Sequence, residues 1–314
     1  MEILFSLLPN EKLQEKLVQH YPQVDFFFQK GLNEEKLRTA EVFVTYGEDL
    51  SKEQLERAER LKWIMVASAG LEKMPLKEIG ERGILVTNAR GIHKIPMAES
   101  IIGHLLAIKK SLHKIRENQQ SGEWIKRVYS SELYGSTALI LGPGAIGGEV
   151  GRLLQAFGVK TIGCNRSGQQ ADYMDSMISF EEIEKAIPEA DIIISVLPST
   201  NETRGLLTEK HFQKMKPHAI FMNFGRGDLV KEDVLLNALE NEYIAFAVLD
   251  VFEKEPLEEG HPFWTMENVI VSPHVSSHSS QYLVRALEIF SFNLTNWLEG
   301  KEDFQNKVDV TKGY

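Results

Sequence analysis

An apolar run near the middle of the chain, Ala138 to Leu141, ends in Gly142-Pro143-Gly144-Ala145-Ile146-Gly147. Val150, Leu153, Leu154 and Phe157 then recur at helical spacing. A strand that passes through three spaced glycines into an amphipathic helix constrains the fold more than any other feature of the sequence. The first glycine lets the chain turn sharply out of the strand, and the second lets backbone approach a pyrophosphate. The third lets the helix pack closely on the sheet with its N-terminus toward the phosphates. Pro143 is compatible, because the second motif position does not itself require glycine. Glycines at this spacing are weak evidence alone, but between a strand and a helix they point to a dinucleotide site. A whole unit's worth of chain precedes the motif, so the site belongs to the second structural unit.

The 314 residues suffice for two domains, and 43% hydrophobic content excludes a disordered chain. The longest apolar stretches, such as Ile101 to Ile108, are too short for a membrane span. No basic, apolar leader precedes the first acidic helix, so a cytoplasmic protein is expected. The net charge of -10 is spread along the chain without a basic stripe, which disfavours nucleic acid. Cys164 is the one cysteine, which excludes an internal disulfide and a cysteine-based metal cluster; its place in an apolar strand marks a buried structural thiol. The histidines show no metal-ligand pattern, and His274 and His278 are separated by a non-helical Val-Ser-Ser.

Strand-like runs at Ile3 to Leu7, Glu41 to Thr45, Leu61 to Ala67 and Ile84 to Val86 alternate with helical patterns at Glu11 to Gln19 and Lys52 to Ala58. Ser51 and Gln54 form a capping-box pattern for the second of these helices. Around Pro96 the pattern changes to one long helix, Met97 to Leu112, with a broad apolar face that packs against the second unit. A loop from Gln119 to Gly135, with Trp124 and Tyr129, leads into the glycine motif and is a candidate subunit contact or ordinary surface. From Thr137 on, apolar strands alternate regularly with crossover helices, the pattern of a buried parallel sheet. A last helix, about Ser280 to Leu298, returns toward the first unit. The expected architecture is therefore two-lobed α/β: a Rossmann-type doubly wound parallel sheet inserted in a smaller α/β substrate-binding domain. Expected boundaries are 1–96, 97–284 and 285–314.

Functional loops of such sheets gather at the carboxyl ends of the strands. Arg226, between Gly225 and Gly227, follows the strand Ala219 to Asn223 and offers a donor fork for a carboxylate. His274 ends the strand Asn268 to Ser272 and suits proton exchange with a carbonyl or hydroxyl oxygen. An acidic partner would orient it; Glu255 leads Glu253 and Asp250, although spacing barely separates the three. At the end of the second Rossmann strand, where an acid would bind the NAD ribose, the chain carries Asn165-Arg166-Ser167. Loss of the acid and gain of Arg166 and the Ser167 hydroxyl predict NADP as the preferred cofactor, with NAD possible.

These segments together resemble the D-isomer-specific 2-hydroxyacid dehydrogenase family across nearly the whole chain. The matching segments are Ser68-Ala69-Gly70-Leu71, Asn88 to His93, Pro96 to Glu99, Leu141 to Gly147, Leu197-Pro198, Asn223 to Gly227, Leu249 to Pro256 and Ser272 to His274. The resemblance implies a flavodoxin-like substrate domain and reversible NAD(P)H-dependent reduction of a small 2-ketoacid to the D-2-hydroxyacid. It implies that Arg226 binds the substrate, Glu255 is the acid partner and His274 the proton donor. Ser68, Ala69, Gly70 and Leu71 would hold the substrate carboxylate through backbone amides, while Leu197, Pro198, Thr203 and Asp250 would line the cofactor side. A homodimer through the dinucleotide-binding domain is also implied. The sequence departs from the pattern at Asn165, at Ser100 after the Ala-Glu pair, at Phe224-Gly225 and in the polar run after His274. A narrower glyoxylate or hydroxypyruvate reductase is the nearest alternative; a non-enzymatic dinucleotide-dependent regulator would not need Arg226, Glu255 and His274 together. Tyr46, Leu71, His93 and Trp264 are candidates for contact with the substrate's side chain.

Overall fold

The computed structural model describes residues 1–71 and 73–310. The chain forms two compact units, one of residues 1–92 and 279–314 and the other of residues 93–278. The first division falls before Pro96 because the helix Lys94–Lys109 already includes it. Proline is tolerated in a first helical turn, where no intrahelical N–H bond is lost, so Pro96 lies just inside the element and does not mark its edge. The second division precedes the expected residue 284 because the helix Tyr282–Leu298 belongs whole to the first unit.

The first unit is a five-stranded parallel sheet of β1 (Glu2–Phe5), β2 (Asp25–Phe28), β3 (Val42–Thr45), β4 (Trp63–Val66) and β5 (Leu85–Asn88). Their order is β2-β1-β3-β4-β5, the flavodoxin-like arrangement. The helix Tyr282–Leu298 covers one face: the Phe290 ring lies edge-on to Phe5 at 5.4 Å and stacked on Trp63 at 5.4 Å. Buried Asn293 exchanges two hydrogen bonds with the backbone of Gln305, tying down the chain beyond the helix. Ser51 and Gln54 make both bonds of the expected capping box. β2 and the helices Glu34–Thr39 and Leu76–Glu81 were not expected. Each of these two helices buries one hydrophobic side chain, Leu37 or Ile79, too little to show a period.

The second unit is a seven-stranded parallel sheet: β6 (Thr137–Leu141), β7 (Lys160–Asn165), β8 (Ser176–Ser179), β9 (Ile192–Ser195), β10 (Ile220–Asn223), β11 (Phe246–Leu249) and β12 (Val269–Val271). The order β12-β11-β10-β9-β6-β7-β8 reverses at β6, which pairs with β9 on one side and β7 on the other. That reversal opens the crevice where doubly wound sheets bind nucleotides. Ile101, Ile102 and Leu105 of Lys94–Lys109 pack with Val150 and Leu154 over one sheet face, and Phe212, Phe221 and Leu235 fill the other. The expected long helix ends at Lys109, where Ser111 adopts φ 47 and a second helix, Leu112–Ser121, begins. No helix among the described residues is long and apolar enough to cross a membrane.

Asp191, at the foot of β9, joins this strand to the chain entering its neighbours β6 and β10. Its carboxylate accepts from the Thr137 amide at 2.8 Å, Lys216 Nζ at 2.7 Å and His218 Nε2 at 3.0 Å. Burial alone would raise its pKa, but the bonds from Lys216, Thr137 and His218 outweigh it and hold the group down at about 2. A carboxyl depressed on folding stabilises the native state above its unfolded pKa and loses that contribution as pH falls through the folded value. Asp191→Asn should therefore cost about 1–2 kcal/mol at neutral pH in urea unfolding. The gap between variant and parent should close between roughly pH 4 and pH 2. A pH-independent gap would show that the charge is not what stabilises this junction.

Candidate active site

The glycine loop divides its tasks in the way the spacing implies. Gly142 has φ 92, in the left-handed region that favours glycine, and takes the chain out of β6. A Cβ on Gly147 would lie 2.4 Å from the Gly142 carbonyl oxygen, so only glycine lets the helix start this close to the strand. A Cβ on Gly144 would meet nothing within 4 Å; the bare backbone there faces open space. Pro143 is buried, Gly144 and Ala145 are exposed, and the helix Ala145–Ala156 begins without a side-chain cap. It starts two residues before the expected Gly147, so the first-turn amides of Ala145, Ile146 and Gly147 face the strand ends. Uncapped amides at a helix N-terminus beside glycine that leaves room for close approach fit a pyrophosphate.

At the end of β7, Asn165 folds the following loop onto itself. Its Oδ1 accepts from the Ser167 amide at 3.1 Å, and its Nδ2 donates to the Gln169 carbonyl at 2.8 Å. Exposed Arg166 reaches Glu202 on the loop after β9 at 3.4 Å. Nothing in the spacing singled out Glu202, because the two residues meet only through the strand order. Thr203, 4% exposed, donates to the Pro198 carbonyl at 2.6 Å and accepts from the Thr200 amide at 2.8 Å, which shapes that loop. Leu197 is buried between two glycines: its side chain would lie 3.1 Å from a Cβ on Gly142, and its carbonyl oxygen 2.4 Å from a Cβ on Gly225.

The loop after β10 is pinned by the glycines on both sides of Arg226. Gly225 packs on the Leu197 backbone, and a Cβ on Gly227 would come within 1.9 Å of the Phe252 carbonyl carbon. Asn223 braces the turn, donating to the Arg226 carbonyl at 2.9 Å and accepting from the Gly225 amide at 3.2 Å. The Arg226 side chain stays exposed, with Nη1 2.8 Å from the Gly225 carbonyl.

The Phe252 backbone that Gly227 touches also anchors the acid. Its amide donates to Glu255 Oε1 at 3.1 Å, while Glu255 Oε2 lies 2.8 Å from His274 Nδ1. Of the three carboxylates that spacing left open, Glu255 is thus the one on the imidazole. With Nδ1 donating to the carboxylate, Nε2 is left for another partner. Asp250 has a different task. It is 1% exposed and accepts from Ser272 Oγ at 2.6 Å, the Val275 amide at 3.0 Å, and the amide and hydroxyl of Ser276. Its own carbonyl accepts from the His274 amide at 2.9 Å, and His274 sits at φ 54. A cavity of ≈ 390 Å³ beside the pair is lined by Phe252, Leu257, Trp264 and Val271.

His104, on the helix Lys94–Lys109, is a neighbour the sequence did not flag. Its ring lies 6.0 Å from Phe224, and burial lowers its pKa while the Asp250 carboxylate acts in the opposite direction. Ser68, Ala69, Gly70 and Leu71 lie on the first unit, after β4. Ser68 Oγ donates to the Tyr46 carbonyl at 3.0 Å and Asn88 Nδ2 to the Ala69 carbonyl at 3.1 Å. The Leu71 side chain is buried in that unit's core, so only its backbone could serve a ligand.

The stretch that carries the glycine loop, Glu255 and His274 lies within a segment that matches a known family. The family model for the D-isomer specific 2-hydroxyacid dehydrogenase NAD binding domain matches residues 102–276. A glyoxylate reductase from Aeropyrum pernix is 32% identical, covering 85% of this chain and 82% of that protein. A D-3-phosphoglycerate dehydrogenase from Methanocaldococcus jannaschii is also 32% identical, covering 85% of this chain but 51% of that protein. Among solved structures, a D-isomer specific 2-hydroxyacid dehydrogenase family protein from Aeromonas salmonicida superposes with a TM-score of 0.86 at 33% identity, covering 98% of this chain and 99% of that one. The chain belongs to the D-isomer specific 2-hydroxyacid dehydrogenase family and carries its NAD(P)-binding domain.

Proposed function

We propose that the protein reduces a small 2-ketoacid to the D-2-hydroxyacid, with NADPH preferred over NADH. The observation that carries this reading is the 2.8 Å contact between His274 Nδ1 and Glu255, which leaves Nε2 to exchange a proton. When bound, the reduced nicotinamide supplies the hydride that C2 of the ketoacid accepts. Protonated His274 gives the Nε2 proton to the carbonyl oxygen as negative charge develops there. Arg226 offers its fork to the substrate carboxylate and that oxygen, held by backbone packing at Gly225 and Gly227. In the reverse direction neutral His274 takes the hydroxyl proton. The names of several relatives favour glyoxylate as a narrower substrate, and the near-equal identity to a phosphoglycerate dehydrogenase leaves the side chain open.

The chemistry is tested by His274→Gln, which keeps a polar side chain but cannot deliver the proton. Turnover of glyoxylate should fall roughly 100- to 10,000-fold while NADPH still binds, as fluorescence titration would show. Unchanged turnover would remove His274 from the mechanism.

Cofactor choice rests on Arg166, whose guanidinium is exposed and has Glu202 as its charge partner among the described residues, and on the absence of an acid at Asn165. The ratio of kcat/KM for NADPH over NADH should exceed unity and fall roughly tenfold in Arg166→Ala, with the NADH value little changed. An NADH preference in the parent would overturn the assignment.

The stretch around Leu112–Ser121 exposes Trp124 (88%), Tyr129 (79%) and Tyr134 (80%), with Leu112, Ile115 and Ile125 half exposed. So much apolar surface on one segment is unusual for a lone chain. We assign it to a homodimer contact of the dinucleotide-binding unit. Light scattering should return twice the chain mass, and Trp124→Glu should shift the equilibrium toward monomer; a concentration-independent parent monomer would rule this contact out.

A further inference from the structure

The loop that carries Glu255 is clasped by residues outside the proton-transfer pair. Gly227 lies flat against the peptide between Phe252 and Glu253: a Cβ there would come within 2.0 Å of the Phe252 carbonyl oxygen and 2.4 Å of the Glu253 nitrogen. The N–H of that same peptide donates to Glu232 Oε1 at 3.3 Å. Packing thus holds the peptide by its face, and a carboxylate fixes its rotation from its edge. The amide one residue earlier, on Phe252, is the one that holds Glu255 Oε1 at 3.1 Å.

Glu232 opens the helix Glu232–Glu240, whose N-cap Lys231 makes no side-chain capping bond. Its amide donates to Glu253 Oε2 at 3.3 Å, so each of the two residues accepts the other's backbone N–H. The Glu253 carboxylate thereby meets one of the free amides of a helix N-terminus, where negative charge is favoured.

The second oxygen of Glu232 faces a histidine. Glu232 Oε2 lies 3.6 Å from His261 Nε2, and both side chains are largely withdrawn from solvent. The Phe263 amide donates to His261 Nδ1 at 3.2 Å, which leaves Nε2 to bear the proton toward Glu232. That bond caps the short turn Pro262–Trp264, and Trp264 Nε1 donates back to the Glu258 carbonyl at 3.0 Å. The Phe252 and Phe263 rings lie 6.4 Å apart. The stretch from Phe252 to Trp264 is therefore a closed loop, and one carboxylate fastens both its ends: Oε1 on the Phe252–Glu253 peptide, Oε2 on His261.

We propose that Glu232 is a positioning residue for proton transfer, which keeps Glu255 against His274 Nδ1 by fastening both ends of this loop. The inference rests on the ketoacid-reductase reading above, in which His274 delivers the proton. Glu232 acts through the Phe252–Glu253 peptide, the Phe252 amide and Glu255. Loosening that peptide frees the Phe252 amide to turn and lets Glu255 swing off the imidazole. The role demands two acceptor oxygens on one side chain, which glutamate has and glutamine, of equal size, lacks.

The test is a double-mutant cycle, read with the parent's preferred reduced cofactor and glyoxylate or whichever small 2-ketoacid the parent reduces. Glu232→Gln can meet only one of its two donors. Its kcat should fall roughly tenfold, the scale of one lost hydrogen bond to a charged group, with KM and the cofactor dissociation constant within about twofold of the parent. Glu232→Asp keeps both acceptor oxygens on a shorter stem and should recover part of kcat. In a Glu255→Gln background, followed in single turnover, Glu232→Gln should cost less than about twofold, because the group it positions is already gone. His261→Asn keeps an acceptor for the Phe263 amide but loses the donor toward Glu232. It should lower kcat in the same way by a smaller factor, and it carries the test should thermal melts show the Glu232 variants unfolded. A loss of the same size in both backgrounds would assign Glu232 a general structural role and overturn the inference, as would an unchanged kcat or a loss confined to KM. Each of these results leaves the reductase reading intact, whereas a parent that reduces no ketoacid overturns both.

Discussion

Asp250 closes β11 with its carboxylate shut off from solvent, and four donors from residues 272–276 converge on it. A buried carboxylate is tolerable only when its lone pairs are met, and here they are met by the loop that carries His274. The arrangement fixes an unusual backbone. His274 sits at φ 54, a conformation uncommon outside glycine, and its amide donates to the Asp250 carbonyl. Turned in this way, the ring presents Nδ1 to Glu255, so the Asp250 network sets where the proton-bearing nitrogen points before any ligand arrives.

The arginine loop reaches the same pair by a different route. Gly227 lies against the Phe252 backbone, and the Phe252 amide holds Glu255. Any side chain at position 227 would push Phe252 away and loosen the carboxylate on the imidazole. Gly225 does the same service on the other side, against Leu197, which also borders the glycine turn at Gly142. The Arg226 loop, the glycine turn and the His274–Glu255 pair of the second unit are thereby coupled through backbone contacts that only glycine permits. Substitutions at these glycines should disturb all three elements together.

What could be read from the sequence followed from how local the physics is. Gly142 and Gly147 were legible because each answers a demand set within six residues, a positive φ at the first and contact with the Gly142 carbonyl at the second, and the Ser51–Gln54 capping box because both bonds span three residues. Glu255, Glu253 and Asp250 could not be separated by spacing, since their roles depend on how one loop folds back over another strand end; the family resemblance ranked them and the hydrogen bonds agree. β2 and β8 are four-residue strands at sheet edges, too short to show a period, although β2 carries three phenylalanines. Glu202 stayed invisible for a further reason. Its meeting with Arg166 exists only because β9 and β7 both neighbour β6.

The Arg166–Glu202 pair also bears on how the proposed NADPH preference would be held without rigidity. Both side chains are exposed and the contact is 3.4 Å, so the pair itself adds little to stability. Its use is to keep the guanidinium near the strand ends while Asn165, committed to the Ser167 amide and the Gln169 carbonyl, keeps the loop closed. A phosphate carries more charge than a carboxylate and can displace Glu202 from the arginine, whereas a ribose hydroxyl cannot. On the proposed reading, selectivity comes from exchange of one anionic partner for a stronger one, with the loop geometry already in place.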